Sequence, residues 1–239
     1  MKRNTNMLLG AGAALVLALS MGAGPAAAHN GEDHSGKETR KGADKTVTLT
    51  ANLTALNDSG ASGWATAIVR NQKIQHIEVY AEGLTPDAPH AQHIHYGEQA
   101  LNECPGLGLD ANRDGRLNTV EGVPAYGPVV VSLNTVGDTT PGSFLDVSRF
   151  PVSQDGSYHY SRDNIEFTDV AGTGYPGAGG LGTAKEIADA IRAGEGVLVI
   201  HGVDYDGDGM YSFGAAGASE LDPNLPAEAT DPAVCGVLR

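Results

Sequence analysis

Cations are scarce in this sequence. Lysine and arginine number 15 against 29 aspartates and glutamates, a formal net charge of −14. Nucleic acids and anionic membranes bind through clustered positive charge, so neither is an expected partner. The acid surplus reads most simply as solubility outside the cell. No apolar run long enough to span a bilayer follows Met21, so no membrane anchor is expected beyond that point. There is no G-x-S-x-G motif, which leaves nucleophilic hydrolysis without support. Cysteine is rare as well: there are two.

What is present begins with an export signature. Lys2 and Arg3 precede an apolar run from Met7 to Met21, and small residues lead to Ala26-Ala27-Ala28. Residues 1–28 are therefore expected to be a secretory signal peptide, and the protein secreted or periplasmic. In that oxidising setting two cysteines predict one disulfide. Residues 29–45 contain charge and no large apolar side chain, the composition of a disordered tail. A mature end at His29, with His34 close by, offers a minor copper-collecting group, though a solvated tail is the preferred reading. Residues 46–239 then suit one large β domain.

The β pattern is direct at the start of that domain. In "TVTLTANLTAL", Val47, Leu49, Ala51, Leu53 and Ala55 alternate with polar residues, which predicts a half-buried strand. "WATAIVR", "KIQHIEVYA", "HAQHIH", "PVVVSL", "GSYHYS", "VLVIH" and "VCGVL" supply further short strands between turns. The total reads as a sandwich or flattened barrel. One inserted helix is predicted in "TAKEIADAIRAG", with Thr183 and Glu186 as a capping box, Gly194 as a stop, and Ile187, Ala190 and Ile191 as a packing stripe.

The stretch "HAQHIHYGEQALNEC" carries the first sign of chemistry. His93 and His95 share a strand face, two residues apart, and can hold one metal ion; His90 has the opposite parity. His201 ends the apolar run "VLVIH". Taken singly, each feature is as compatible with surface or structural histidines as with ligands.

The combination of H-x-x-H-x-H, a cysteine nine residues on, a late apolar strand ending in histidine, and a C-terminal "CGV" resembles the Cu,Zn superoxide dismutase family. The resemblance implies an all-β fold, an eight-stranded Greek-key β-barrel or sandwich with one short inserted helix. It implies copper bound by His93, His95 and His201, with His90 hydrogen-bonding backbone near the last of these. It implies a disulfide between Cys104 and Cys235. The likeness departs at the zinc site, because "PGLGLDANRDGRLNTVEGVPAYG" contains no histidine where the family has its bridging and zinc ligands. His159 and His76 remain as candidates for a fourth ligand, with His159 preferred. The family's superoxide-attracting arginine is replaced by Pro232, with Asp231 beside it, so superoxide is expected to meet an acidic rim and to be dismutated slowly.

"DANRDGRLNTVE" has the positions of an EF-hand loop. Asp110, Asn112 and Asp114 supply alternate oxygens, Gly115 the turn, Arg116 its backbone carbonyl, and Glu121 the closing carboxylate. The flanks do not read as paired helices, so a structural calcium site is expected. "DYDGDG" repeats the opening with Asp204, Asp206 and Asp208, but its twelfth position is Ala215; Glu220 or Asp222 is the expected substitute. Two function classes stand at this point. One is a secreted copper-only dismutase variant of low activity, stabilised by calcium. The other is a non-catalytic copper- and calcium-binding module, chordin-type or adhesion-like.

Overall fold

The computed structural model describes residues 46–170 and 182–239. The expected signal peptide, the polar tail and the His29/His34 group lie outside the described residues.

Eight strands form one antiparallel sheet: β1 (Thr46–Ala55), β2 (Ser62–Arg70), β3 (Lys73–Glu82), β4 (Gln92–His95), β5 (Val129–Ser132), β6 (Tyr158–Glu166), β7 (Gly196–His201) and β8 (Pro232–Leu238). Their order is β5-β4-β7-β8-β1-β2-β3-β6. The sheet is curled like a half-barrel, and no ladder joins its outer strands β5 and β6 among the described residues. Side chains cross the interior instead: the Tyr160 hydroxyl donates to the Asn134 carbonyl (3.1 Å) and the Tyr158 hydroxyl to Gln92 Oε1 (3.0 Å).

Alternation decides which side chains fill the core. Leu49, Ala51 and Leu53 of β1, Ala65, Ala67 and Val69 of β2, and Val79 and Ala81 of β3 are buried, while Ala55 at the end of β1 is exposed. A bulge opposite Ile68 and Val69 shifts the register, so that Ile74 and Ile77 both point inward although three residues apart.

Strands β4, β5 and β7 are buried along their whole length, and β8 almost so. A strand buried throughout is covered on both faces. On one face Ile94, Leu198, Ile200 and Val234 join the main core. On the other, Val197, Val199 and Cys235 meet Val123 and Tyr126 in a smaller cluster. His93 pairs with Val199 and His95 with Val197, so both histidines lie on this second face.

Helices are more numerous than the sequence predicts. The expected α2 (Ala184–Ala193) has its Thr183–Glu186 capping box and a left-handed stop at Gly194, φ 90°; Ile187 and Ile191 enter the core. Two helices were not expected, α1 (Thr119–Tyr126) and the short α3 (Ala227–Thr230). Pro124 inside α1 argues against a helix, and its capping box is formed by Asn118 and Glu121, which both lie within the EF-hand-like stretch.

The disulfide joins Cys104 to Cys235 across 131 residues, with Cα atoms 5.7 Å apart. It ties the segment after β4 to the centre of β8. Denatured, unreduced protein is expected to show no free thiol. Reduction should cost about 2–5 kcal/mol of stability in urea titration, the usual range for a small exported domain. A midpoint unchanged by reduction would contradict this.

Candidate functional site

Three imidazoles meet on the second face of the sheet. His93 and His95 come from β4, and His201 from the end of the neighbouring β7. Their ring centroids are 5.3–6.2 Å apart, and one nitrogen from each ring lies within 4.8 Å of those of the other two. All three side chains are buried.

Backbone carbonyls fix each ring. His93 Nε2 donates to Phe144 O (3.1 Å), His95 Nδ1 to Gly127 O (2.8 Å) and His201 Nδ1 to Thr230 O (2.6 Å). A carbonyl can only accept, so these nitrogens carry the protons. The opposite nitrogens, His93 Nδ1, His95 Nε2 and His201 Nε2, are then bare lone pairs, and each is buried without a hydrogen-bond partner. Burial, with the neighbouring imidazoles adding to it, holds His93 well below the usual histidine range. Burial first and then His201 lower His95 to about 3, and burial lowers His201 to about 4. The set is neutral at pH 7.

Three unpartnered lone pairs at one buried centre are costly unless a cation sits between them. Carbonyl-bound second nitrogens are also the usual way in which metal-ligating histidines are oriented. The residues therefore fit a metal ion. Tyr126 packs on His95, with centroids 4.4 Å apart, and Phe150 meets His93 edge-on at 5.6 Å.

His90 precedes β4 and is not one of the triad. Its Nδ1 lies 2.8 Å from the His201 carbonyl and its Nε2 lies 3.0 Å from Thr85 O. His159 does not reach the site. It is exposed on β6 beside Trp64, because its parity is opposite to that of the inward Tyr158 and Tyr160. His76 is half-exposed and bonded to Asp163 at 2.6 Å.

Above His93 and His201 lies a cavity of about 220 Å³. Phe144, Leu145, Val147, Phe150, Leu221 and Leu225 form much of its wall, and among the described residues no acid or base other than the two histidines and Tyr211 lines it. The acidic rim expected from the sequence is therefore not what faces the histidines. Asp231 in particular is fully buried, and its Oδ2 accepts from Arg116 Nη1 (2.6 Å) and from the Tyr205 hydroxyl (2.9 Å).

Both acidic loops are shaped by their own backbone. Asp110 Oδ1 accepts from the amides of Arg113 and Asp114 and its Oδ2 from that of Gly115; Asp204 does the same with Gly207, Asp208 and Gly209. In the first loop Glu121 Oε1 accepts from the Ala111 amide at 2.9 Å. In the second, the equivalent bond from Tyr205 goes to Glu228 Oε1, also at 2.9 Å. Glu228, on α3, thus stands where the sequence suggested Glu220 or Asp222. Glu220 is bonded to Arg116 instead, and Asp222 accepts from Asn224. No fixed spacing in the sequence marks Glu228, which follows Asp204 only after a long irregular excursion.

The second loop gathers its acids more tightly. Asp204, Asp206 and Asp208 have ligand atoms within 4.8 Å of one another, a convergence not found for the acids of the first loop. There Asn112 takes the middle place, and the Arg116 guanidinium approaches Asp114 at 3.1 Å. Compared with known proteins, the chain matches no protein-family model and no curated protein.

Proposed function

We propose that this chain is an exported copper-binding protein of the Cu,Zn superoxide dismutase type. It would keep the copper half of the site on a Greek-key framework, lack the zinc half, and be stiffened by calcium in its acidic loops. The observation that carries this reading is the convergence of three buried, unpartnered imidazole nitrogens, each fixed by a carbonyl behind it. Divalent copper stands highest in affinity for nitrogen donor sets. Bound there, copper would supply one-electron redox chemistry; the protein orients the rings through Phe144, Gly127 and Thr230 and shields them with Tyr126 and Phe150. The disulfide agrees with an oxidising compartment, and no helix among the described residues is long and apolar enough to cross a membrane.

Non-catalytic binding has its own support. Among the described residues no lysine or arginine lines the cavity beside His93 and His201, so no side chain there draws an anion in. Titration of metal-free protein should give one copper per chain, held more tightly than zinc and lost in His95→Ala. Stopped-flow superoxide decay on the copper-loaded protein should be slow, and any activity should rise with salt, because screening weakens repulsion by the acidic chain. A rate near the diffusion limit that falls with salt would make the protein a true dismutase. Absence of copper uptake would sink the reading altogether.

Calcium is proposed for both loops, with Glu121 and Glu228 as closing carboxylates. Extracellular modules hold calcium with dissociation constants on the order of 10⁻⁴–10⁻³ M. At 10 mM calcium a site at the tight end gains about 2.7 kcal/mol, which should raise Tm by roughly 5–10 °C. Glu228→Gln and Asp110→Asn should each remove part of that rise in thermal unfolding. No shift at 10 mM would reduce both loops to acidic turns.

A further inference from the structure

We propose that the cavity over His93 and His201 binds a small, uncharged molecule with an apolar, ring-sized body. The inference rests on the metal-site reading only for the ligand's polar end.

Size is the first argument. An apolar cavity of about 150 Å³ admits benzene, and this one has about 220 Å³. It can take a substituted six-membered ring without rearrangement. Lining is the second. Phe144, Leu145, Val147, Leu221 and Leu225 offer hydrocarbon to the occupant. In the metal-free protein a carboxylate or a phosphate would give up its hydration there and meet no lysine or arginine among the described lining residues. A neutral apolar body gains by leaving water.

The third argument is how the polar groups of the wall are spent. The Thr119 hydroxyl donates to Thr230 O at 2.5 Å, and the Tyr211 hydroxyl lies 3.1 Å from His90 Nδ1. His201 Nδ1 is held by Thr230 O and His93 Nε2 by Phe144 O. His93 and His201 are thus the polar part of the lining that remains, and the rest of the wall is largely hydrocarbon. An occupant with one donor atom on a hydrocarbon ring fits that lining, with the donor toward His93 and His201.

Two probes separate the cavity from the metal. In metal-free protein, benzyl alcohol followed by two-dimensional NMR should give saturable shifts at residues 144–150 and 221–230 and at His93 and His201. In copper-loaded protein, visible-band titration should show 4-phenylimidazole binding at least tenfold more tightly than imidazole, since only the former fills the apolar end. Leu225→Asp should abolish both effects at unchanged copper content. Val147→Asp, at a position already 41% exposed, should do the same if Leu225→Asp fails to fold. Equal affinity for the two imidazoles, or tighter binding of azide than of 4-phenylimidazole, would overturn the proposal and leave the metal site standing. Loss of copper uptake with the benzyl alcohol shifts retained would overturn the metal reading and leave the cavity proposal standing. Absence of those shifts would end it.

Discussion

Metal-free protein is expected to lose stability steeply as pH falls below about 6.5. His93, His95 and His201 are buried and neutral, and burial lowers His95 to about 3 and His201 to about 4, with His93 also well below its ordinary value. The unfolded chain takes up protons on these rings at about 6.5, whereas the folded chain cannot. Below that pH the unfolded state binds more protons, so stability declines with each step down and stops declining only below the folded values. By pH 4.5 His95 and His201 account for about 2–3 kcal/mol each, and His93 adds to the loss in the same direction. That is comparable to the whole stability of a typical domain. Urea midpoints between pH 7.5 and 4.5 measure the effect. His95→Gln, which cannot titrate, should show a shallower decline by about one proton. Copper should protect at pH 6–7, because it binds only the folded triad, and protons should displace it at lower pH. A metal-free protein equally stable at pH 7.5 and 4.5 would show that the rings are not buried and neutral.

The part of this site legible in the sequence is the part governed by periodicity. Alternation places His93 and His95 on one face, the apolar run before His201 predicts a buried strand, and their adjacency is seen in the pairing of β4 with β7. What the sequence hides is tertiary. The carbonyls of Phe144, Gly127 and Thr230 that orient the rings are backbone atoms, which carry no residue signature. The preference for His159 over His76 as a fourth ligand fails because strand parity alone does not say which face of β6 is inward; Tyr158 and Tyr160 take that face and leave His159 outside. Helix α1 is not legible because Pro124 breaks its pattern and because its capping box, Asn118 and Glu121, lies within the EF-hand-like stretch. The apolar cavity was missed because the loop between His201 and Cys235 reads as acidic, yet Leu221 and Leu225 line the cavity while Asp231 is buried against Arg116 and Asp222 bonds to Asn224.

Arg116→Met is expected to be the most damaging single change outside the histidines and the disulfide. Arg116 belongs to the first acidic loop, but its guanidinium reaches Asp114 at 3.1 Å, Glu220 at 3.1 Å and the buried Asp231 at 2.6 Å. Burial pushes the Asp231 carboxyl up to about 7 against the opposing pull of Arg116 and the Tyr205 hydroxyl, and its Oδ1 has no partner at all. Removing the arginine strands that carboxylate in the interior, which costs about 3–5 kcal/mol. The loss should be larger at pH 8 than at pH 5, since a protonated Asp231 no longer needs the cation. The double change Arg116→Met, Asp231→Leu should recover most of the stability, because apolar groups can replace a buried pair. Metal affinity supplies an independent readout. Asp231 adjoins Thr230, whose carbonyl holds His201 Nδ1, and the Asp231 carbonyl accepts from the Gly202 amide next to His201. Loosening this corner should weaken copper binding by about 10–100-fold, the usual cost of losing a partner that orients a ligand. Competition titration with a chelator at pH 7.5 measures it, alongside urea unfolding of the metal-free variants. If Arg116→Met leaves both stability and copper affinity unchanged, the guanidinium is only a surface group and the two loops act independently of the histidines.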